Sequence, residues 1–288
     1  MTTNNADPPS VVLINGNPGT TIACDDRGLH YGDGLFETLA VVNGVPQHWS
    51  AHLNRLNRGC ARLGLNAPPD ALWLKEFEHA VGQQPAPPMA VLKLIITRGA
   101  GRRGYAPPPA GHETRILQLS PPPKPPVESI DSTFVSIICD TPLGLNPVLA
   151  GLKHLNRLEQ VLGAQEVARA GADEGFMFDV GGHLIAGTRC NVFIVRGEAL
   201  FTPRLAHCGV HGVMREVVMA DARGRGLSVS EVELDQTALT TADELFFTNS
   251  LIGIRPVNRV RFDAKIKDYR TTVGAQLRAQ LQRSGRGP

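Results

Sequence analysis

Six lysines, at 75, 93, 124, 153, 265 and 267, stand among 29 basic residues, so chemistry that needs an amine has six candidates. Lys75 sits in a charged helical stretch, Lys124 among prolines, and Lys265 and Lys267 in a polar stretch near the C-terminus. Lys93 lies inside an apolar strand-like run. Lys153 stands in Ala150-Gly151-Leu152-Lys153-His154-Leu155-Asn156, where strand-like residues meet a helix start. A side chain at such a junction can project into a cleft, and partial burial favours the neutral amine that Schiff-base chemistry needs. The plainer alternative is a lysine exposed at a helix start, since lysine is rarely buried.

Gly99-Ala100-Gly101-Arg102-Arg103-Gly104 has the G-x-G-x-x-G spacing and follows a strand-like run. A dinucleotide site requires that this turn open a helix whose N-terminus holds the pyrophosphate. Tyr105 and the run Pro107-Pro108-Pro109 follow instead, which is poor helix material. Arg98, Arg102 and Arg103 on the same stretch fit the carboxylates of a small anionic substrate, because a guanidinium fork matches a carboxylate with two hydrogen bonds. An ordinary solvated loop is the alternative. Five scattered cysteines (24, 60, 139, 190, 208) form no C-x-x-C pair and no zinc-spaced cluster with histidine, so no metal is predicted and free thiols in a reducing compartment are. Neither a G-x-S-x-G elbow nor an H-E-x-x-H helix is present.

These residues must be carried by elements that composition and periodicity outline. The chain has 288 residues, 42% apolar and 19% charged, with a net charge of +2. That excludes global disorder and argues against a dedicated nucleic-acid partner. No apolar run approaches the roughly 18 residues of a membrane span, and the polar opening MTTNNADPPS predicts no signal peptide. A cytoplasmic protein is the expectation. Five prolines within Pro121–Pro126 read as a stiff connector. The expected organisation is therefore a small α+β domain over 1–120, a connector over 121–127 and a larger domain over 128–288.

In the first part, strands are predicted at Val11–Ile14, Val91–Thr97 and Arg115–Leu119, with hairpin turns at Asn15-Gly16 and Asn43-Gly44. Leu53, Leu56, Cys60 and Leu63 recur at helical spacing after Ser50, a candidate cap. A second helix is predicted over Asp70–Val81. In the second part, strands are predicted at Phe134–Cys139, Gly175–Val180, His183–Ala186, Asn191–Val195, Val229–Leu234 and Glu244–Thr248. Helices are predicted at Asn156–Ala170 and Gly212–Ala222, with a closing helix from Asp268.

The segment Gly151-Leu152-Lys153-His154-Leu155-Asn156-Arg157-Leu158-Glu159-Gln160 resembles the cofactor-lysine segment of the aminodeoxychorismate lyases. These are fold-type IV pyridoxal-phosphate enzymes, related to branched-chain and D-amino acid aminotransferases. Further matches run in order along the chain: Tyr31-Gly32-Asp33-Gly34-Leu35-Phe36-Glu37, His52 to Leu56, Arg98 to Tyr105, Asn191-Val192-Phe193, Gly212-Val213-Met214-Arg215, and Thr248-Asn249-Ser250 before Pro256-Val257. The resemblance implies a two-domain α/β (α+β) fold of the D-amino acid aminotransferase type, a homodimer and a small-molecule substrate, with neither nucleic acid nor membrane involved. It implies pyridoxal 5'-phosphate as cofactor, carried by Lys153, which is also the catalytic acid and base. Arg55, the amides of Val213 and Met214, and Ser250 with Asn249 would hold the cofactor. Arg98 and Arg103 would bind substrate carboxylates, with Tyr31, Thr38 and Tyr105 lining the pocket.

The implied reaction releases pyruvate from aminodeoxychorismate and leaves 4-aminobenzoate for folate synthesis. A fold-type IV aminotransferase and a non-catalytic cofactor-binding protein are the alternatives. Two departures matter. Ala186 stands where the family usually carries a glutamate that pairs with the pyridine nitrogen, five residues before Asn191. Phe36 stands where D-amino acid aminotransferases carry a carboxylate-binding tyrosine.

Overall fold

A computed structural model describes residues 10–83, 88–109, 111–122, 133–263 and 265–287. Most of the expected connector, from residue 123 onward, lies outside the described residues. The chain forms two compact units. One comprises Met1–Pro125 together with Lys153–Asn156, the other Pro126–Leu152 together with Arg157–Pro288.

The first unit runs β1 (Val11–Ile14), β2 (Asn17–Pro18), α1 (Arg27–Tyr31), β3 (Gly34–Val42), β4 (Val45–Pro46), α2 (Trp49–Leu63), α3 (Asp70–Gly82), β5 (Met89–Thr97) and β6 (Thr114–Ser120). Its six-stranded sheet has the order β2-β1-β6-β5-β3-β4, every pair antiparallel. Asn15 and Asn43 take left-handed backbone conformations beside Gly16 and Gly44, the geometry that matches a hairpin's turn to the strand twist. Along β3, successive side chains face opposite sides of the sheet. Leu35, Glu37 and Leu39 turn to the side covered by α2, where Gly59 lies so close that an added Cβ would sit 2.7 Å from Leu35. Leu53, Leu56 and Cys60 of α2 are buried, as their helical spacing predicts. Ser50 does not cap this helix. His48, in a left-handed conformation, precedes Trp49 and makes no side-chain cap.

The second unit contains β7 (Phe134–Ile138), α4 (Leu158–Arg169), β8 (Glu174–Phe178), β9 (Leu184–Gly187), β10 (Asn191–Arg196), β11 (Ala199–Pro203), α5 (Val213–Gly224), β12 (Ser228–Val232), α6 (Gln236–Thr241), β13 (Glu244–Asn249), β14 (Gly253–Phe262), β15 (Lys265–Asp268) and α7 (Thr272–Arg283). Its nine-stranded sheet has the order β12-β11-β10-β13-β14-β7-β8-β9, with β15 on β14. Both faces are covered, which is why Val192–Val195 of β10 and Leu245–Phe247 of β13 are continuously apolar. Phe193 and Phe246 join Met214, Val218 and Leu277 on one face; Val192 and Phe247 join Phe134 and Phe176 on the other.

Asp268 ends strand β15 rather than opening the last helix, which begins at Thr272. Arg259 Nε donates to Asp268 at 2.6 Å across the β14–β15 pair. β11, β14, β15, α1 and α6 are elements the sequence reading did not anticipate.

Candidate active site

In the first unit, residues 153–155 run along the start of β3. Phe36 N–H donates to the Lys153 carbonyl at 3.0 Å, and Leu155 N–H donates to the Gly34 carbonyl at 3.0 Å. This pairing places Lys153 Nζ 4.3 Å from the centre of the Phe36 ring. Lys93 stands directly across from Thr38 on the neighbouring strand, and its Nζ lies 5.5 Å from the same ring. Thr38, Phe36, Lys93 and Lys153 therefore share the face of the sheet opposite α2.

Behind that face, Glu37 is 1% exposed. Its Oε1 accepts from Arg55 Nε at 2.8 Å, and Oε2 accepts from Arg55 Nη2 and lies 2.6 Å from His52 Nδ1. Burial alone would raise the Glu37 carboxyl, but the charge and hydrogen bonds of Arg55, aided by His52, hold it down to about 2. Burial pushes His52 below the usual histidine range more than Glu37 raises it, so this imidazole is neutral at pH 7.

Arg98, expected to grip substrate, is engaged within the first unit. Its Nε and Nη2 donate to Asp33 at 2.8 and 3.0 Å, and Nη1 and Nη2 donate to the Gly64 and Leu63 carbonyls at 2.9 and 2.7 Å. Four of its five N–H donors thus tie β5 to Asp33 and to the C-terminal end of α2. Arg27 donates from Nε to the same Asp33 at 2.9 Å and from both terminal nitrogens to the Gly104 and Tyr105 carbonyls. Burial raises the Asp33 carboxyl, but Arg98 and then Arg27 outweigh it and keep it below its ordinary value. The loop so anchored presents Arg103 and Tyr105 to solvent, with the Tyr105 ring 5.4 Å from Tyr31. Among the described residues no helix lies between Gly104 and β6, and the G-x-G-x-x-G stretch is irregular loop.

In the second unit, no side chain caps the N-terminus of α5, whose first-turn N–H groups need partners from outside the helix. A Cβ at Gly212 would lie 1.9 Å from Asn191 Oδ1, so only glycine lets the chain approach this closely. Asn191 Nδ2 donates to the Val210 carbonyl at 2.9 Å and fixes the preceding loop. Asn191 is the cross-strand partner of Thr248, which brings Asn249 and Ser250 to the same end of the sheet. Asn249 Oδ1 accepts from the N–H groups of Leu251 and Ile252, both at 2.9 Å. Its side chain thus shapes the turn that carries Ser250. A glycine-backed, uncapped helix start fits a phosphate group, and Ser250 lies at the same end of the sheet as Asn191, whose side chain meets Gly212.

Ala186 lies across from Met177. Two buried carboxylates stand on this hairpin: Asp179 in its loop, and Glu174, fully buried, which accepts from Thr188 N–H at 2.8 Å and from the Thr188 hydroxyl. Burial pushes the thiols of Cys60 and Cys139 up to about 12, so neither is a nucleophile. Among the described residues no group of His, Cys, Asp and Glu could hold a metal ion.

Residues 34–260 match the family Amino-transferase class IV. The chain is 35% identical over 255 residues to aminodeoxychorismate lyase of Vibrio harveyi, covering 86% of this chain and 90% of that protein. A solved structure of 4-amino-4-deoxychorismate lyase from Pseudomonas aeruginosa superimposes with a TM-score of 0.87 at 39% identity, covering 96% of this chain and 100% of the other. The Escherichia coli branched-chain amino acid aminotransferase has the same fold, with a TM-score of 0.85 at 21% identity and 96% of each chain covered.

Proposed function

The chain belongs to the class IV aminotransferase family, and on that premise we propose that it is a 4-amino-4-deoxychorismate lyase, releasing pyruvate and leaving 4-aminobenzoate. The observation that carries this reading is the likeness to such lyases over nearly the whole chain, with Lys153 seated on the Phe36 ring within the matching segment. Incubation with aminodeoxychorismate tests it. Equimolar pyruvate and 4-aminobenzoate are expected; amino transfer to pyruvate or 2-oxoglutarate without them rejects it.

Pyridoxal phosphate, the family's cofactor, supplies an electrophilic carbon for the substrate amine and a ring that accepts electrons. Lys153 would hold it through Nζ. Arg55, the Val213 and Met214 amides and Ser250 are the residues that would serve its phosphate, with Asn249 shaping the turn that carries Ser250. Lys153 Nζ would take the proton from the amine-bearing ring carbon of the bound substrate. The bond from the ring to the enolpyruvyl oxygen then breaks, the carbocycle becomes aromatic, and pyruvate forms when the released enolate is protonated at carbon.

Arg103 and its neighbour Arg102 take the substrate carboxylates, since Arg98 is committed to Asp33. Tyr31 and Tyr105 form a wall, and Thr38 lies beside Lys93. Replacing Arg103 by Gln should raise KM about 10- to 150-fold, equivalent to about 1.5–3 kcal/mol, the size of a hydrogen bond to a charged group, with cofactor content unchanged. Cofactor loss at unaltered KM refutes that role.

Ala186 bears on the choice between lyase and aminotransferase. An alanine cannot keep a pyridine nitrogen protonated by ion pairing, so the ring is a poorer electron acceptor. Transamination depends on that acceptor more than an elimination driven by aromatisation does. Aminotransferase turnover is expected to be negligible, and Ala186→Glu should raise it relative to lyase turnover in paired assays. Vigorous transamination by the wild-type protein contradicts this.

A homodimer is part of the proposal. Leu158, Val161 and Leu162 of α4 are exposed, as are Leu145 and Val148, on a loop held to α4 by Gly144 N–H donating to Glu159 at 2.9 Å. Exposed apolar clusters of this kind mark contact surfaces. Sedimentation should give twice the chain mass, and Val161→Glu should shift it toward one. No helix among the described residues is long and apolar enough to cross a membrane; the scattered cysteines support placing the protein in the cytoplasm.

A further inference from the structure

Glu37 occupies a position where sequence and burial predict an apolar residue. It lies between Leu35 and Leu39 on the side of β3 that faces α2, and both neighbours are buried. A buried ion pair repays its desolvation only when its geometry is well satisfied, and an apolar replacement of similar volume is often as stable. Folding alone therefore gives little reason for a carboxylate here. What this carboxylate does is fix a guanidinium. Nε and Nη2 of Arg55 both meet Glu37, and a fork gripped along one edge has its remaining edge set in direction.

The carboxylate is itself held by a third donor. His52 lies one helical turn before Arg55 on α2, fully buried, with Nδ1 2.6 Å from Glu37 Oε2. Its Nε2 is buried without a hydrogen-bond partner. The proton therefore belongs on Nδ1, since a buried lone pair is less costly to leave unmet than a buried N–H beside a carboxylate lacking its donor. His52 thus orients Glu37, and Glu37 orients Arg55.

We propose that Glu37 and His52 are positioning residues for cofactor phosphate, acting through Arg55. The inference rests on the assignment of Arg55 to the phosphate. It adds that the strength of the phosphate contact is set by a buried relay on the opposite side of β3 from Lys153. Glu37→Gln is the decisive substitution. Its amide can meet only one edge nitrogen of Arg55, because the NH2 group opposes the other N–H. The substitution also removes a negative charge near the phosphate, which by Coulomb attraction alone would tighten binding. Geometry and charge thus predict opposite signs.

The test compares apoenzyme affinity for pyridoxal phosphate with that for pyridoxal, which lacks the phosphate, both followed by absorbance. In Glu37→Gln the affinity for pyridoxal phosphate should fall about tenfold or more, the scale of one charge-assisted hydrogen bond, while pyridoxal binding stays within about twofold. His52→Leu should lower the same ratio severalfold. His52→Asn, whose amide N–H can take the place of Nδ1–H, should restore it. Equal losses for both ligands in Glu37→Gln would mean a purely structural pair and overturn the proposal, as would tighter binding of pyridoxal phosphate. If Glu37→Gln does not accumulate folded, the histidine variants decide, and identical ratios in Leu and Asn reject the relay. Arg55→Lys separates the two claims. If it leaves the ratio at the wild-type value, the Arg55 assignment itself fails. If it lowers the ratio while Glu37→Gln does not, only the relay fails.

Discussion

Lys153→Ala should leave a folded protein that is colourless with pyridoxal phosphate and slower by at least about a thousandfold, since one substitution removes both the cofactor attachment and the base. Borohydride treatment of the wild-type enzyme followed by peptide mapping should find the label on Lys153. Lys93 is the meaningful competitor. Its Nζ lies 5.5 Å from the Phe36 ring that Lys153 approaches to 4.3 Å, so both amines stand on one face of the sheet. Label on Lys93, or a reducible Schiff base surviving in Lys153→Ala, removes Lys153 from its role.

Arg98→Gln should act on the fold instead of on the substrate. Arg98 is 8% exposed and uses four donors on Asp33, Leu63 and Gly64. Removing one partner of such a part-buried, charge-assisted pair costs about 1.5–3 kcal/mol. The denaturation midpoint should fall accordingly, whereas Arg103→Gln should leave it in place. The pH dependence has a definite sign. The folded Asp33 value lies below the ordinary 3.8, so its contribution is complete above about 3.8 and is lost as pH falls through the lower, folded value. Arg98→Gln should therefore flatten the acid limb of stability against pH. Wild-type stability with impaired substrate affinity would instead restore Arg98 as a recognition residue.

Sequence alone carried the elements whose signals are local. The repeat Leu53, Leu56, Cys60 located α2, and Asn15-Gly16 and Asn43-Gly44 located their hairpins, because spacing and turn chemistry are local properties. The candidate lysine was narrowed from six by its neighbours, and its family segment then singled it out. The partners of the arginines were not legible. Nothing near Arg98 in sequence announces Asp33, 65 residues away, and an arginine that grips its own fold has the same letters as one that grips a substrate. Glu37 did leave a trace, as a lone charge between Leu35 and Leu39. His52 stands three residues before Arg55, a spacing that puts two side chains on one side of a helix. Ser50 and Asp268 misled because each is a good cap residue near a helix; tertiary pairing decided where those helices begin.

The short segment Lys153–Asn156 belongs to the first unit although more than two dozen residues of the second precede it. During synthesis, the N-terminal sheet can pair its six strands once residue 120 has emerged, yet β3 lacks this neighbour until residue 155 has followed. Domains tend to fold as their chains appear, and late, non-local pairings are slow to form. Until then the Gly34 carbonyl and the Phe36 N–H on the β3 edge, which the segment later occupies, are open to other strands. A nascent chain stalled in the proline-rich stretch would expose an unpaired edge, a place where aggregation begins. The residue proposed to carry the reactive amine thus also closes the first unit with its backbone, and the chain gains that residue in the same step that makes its N-terminal half safe.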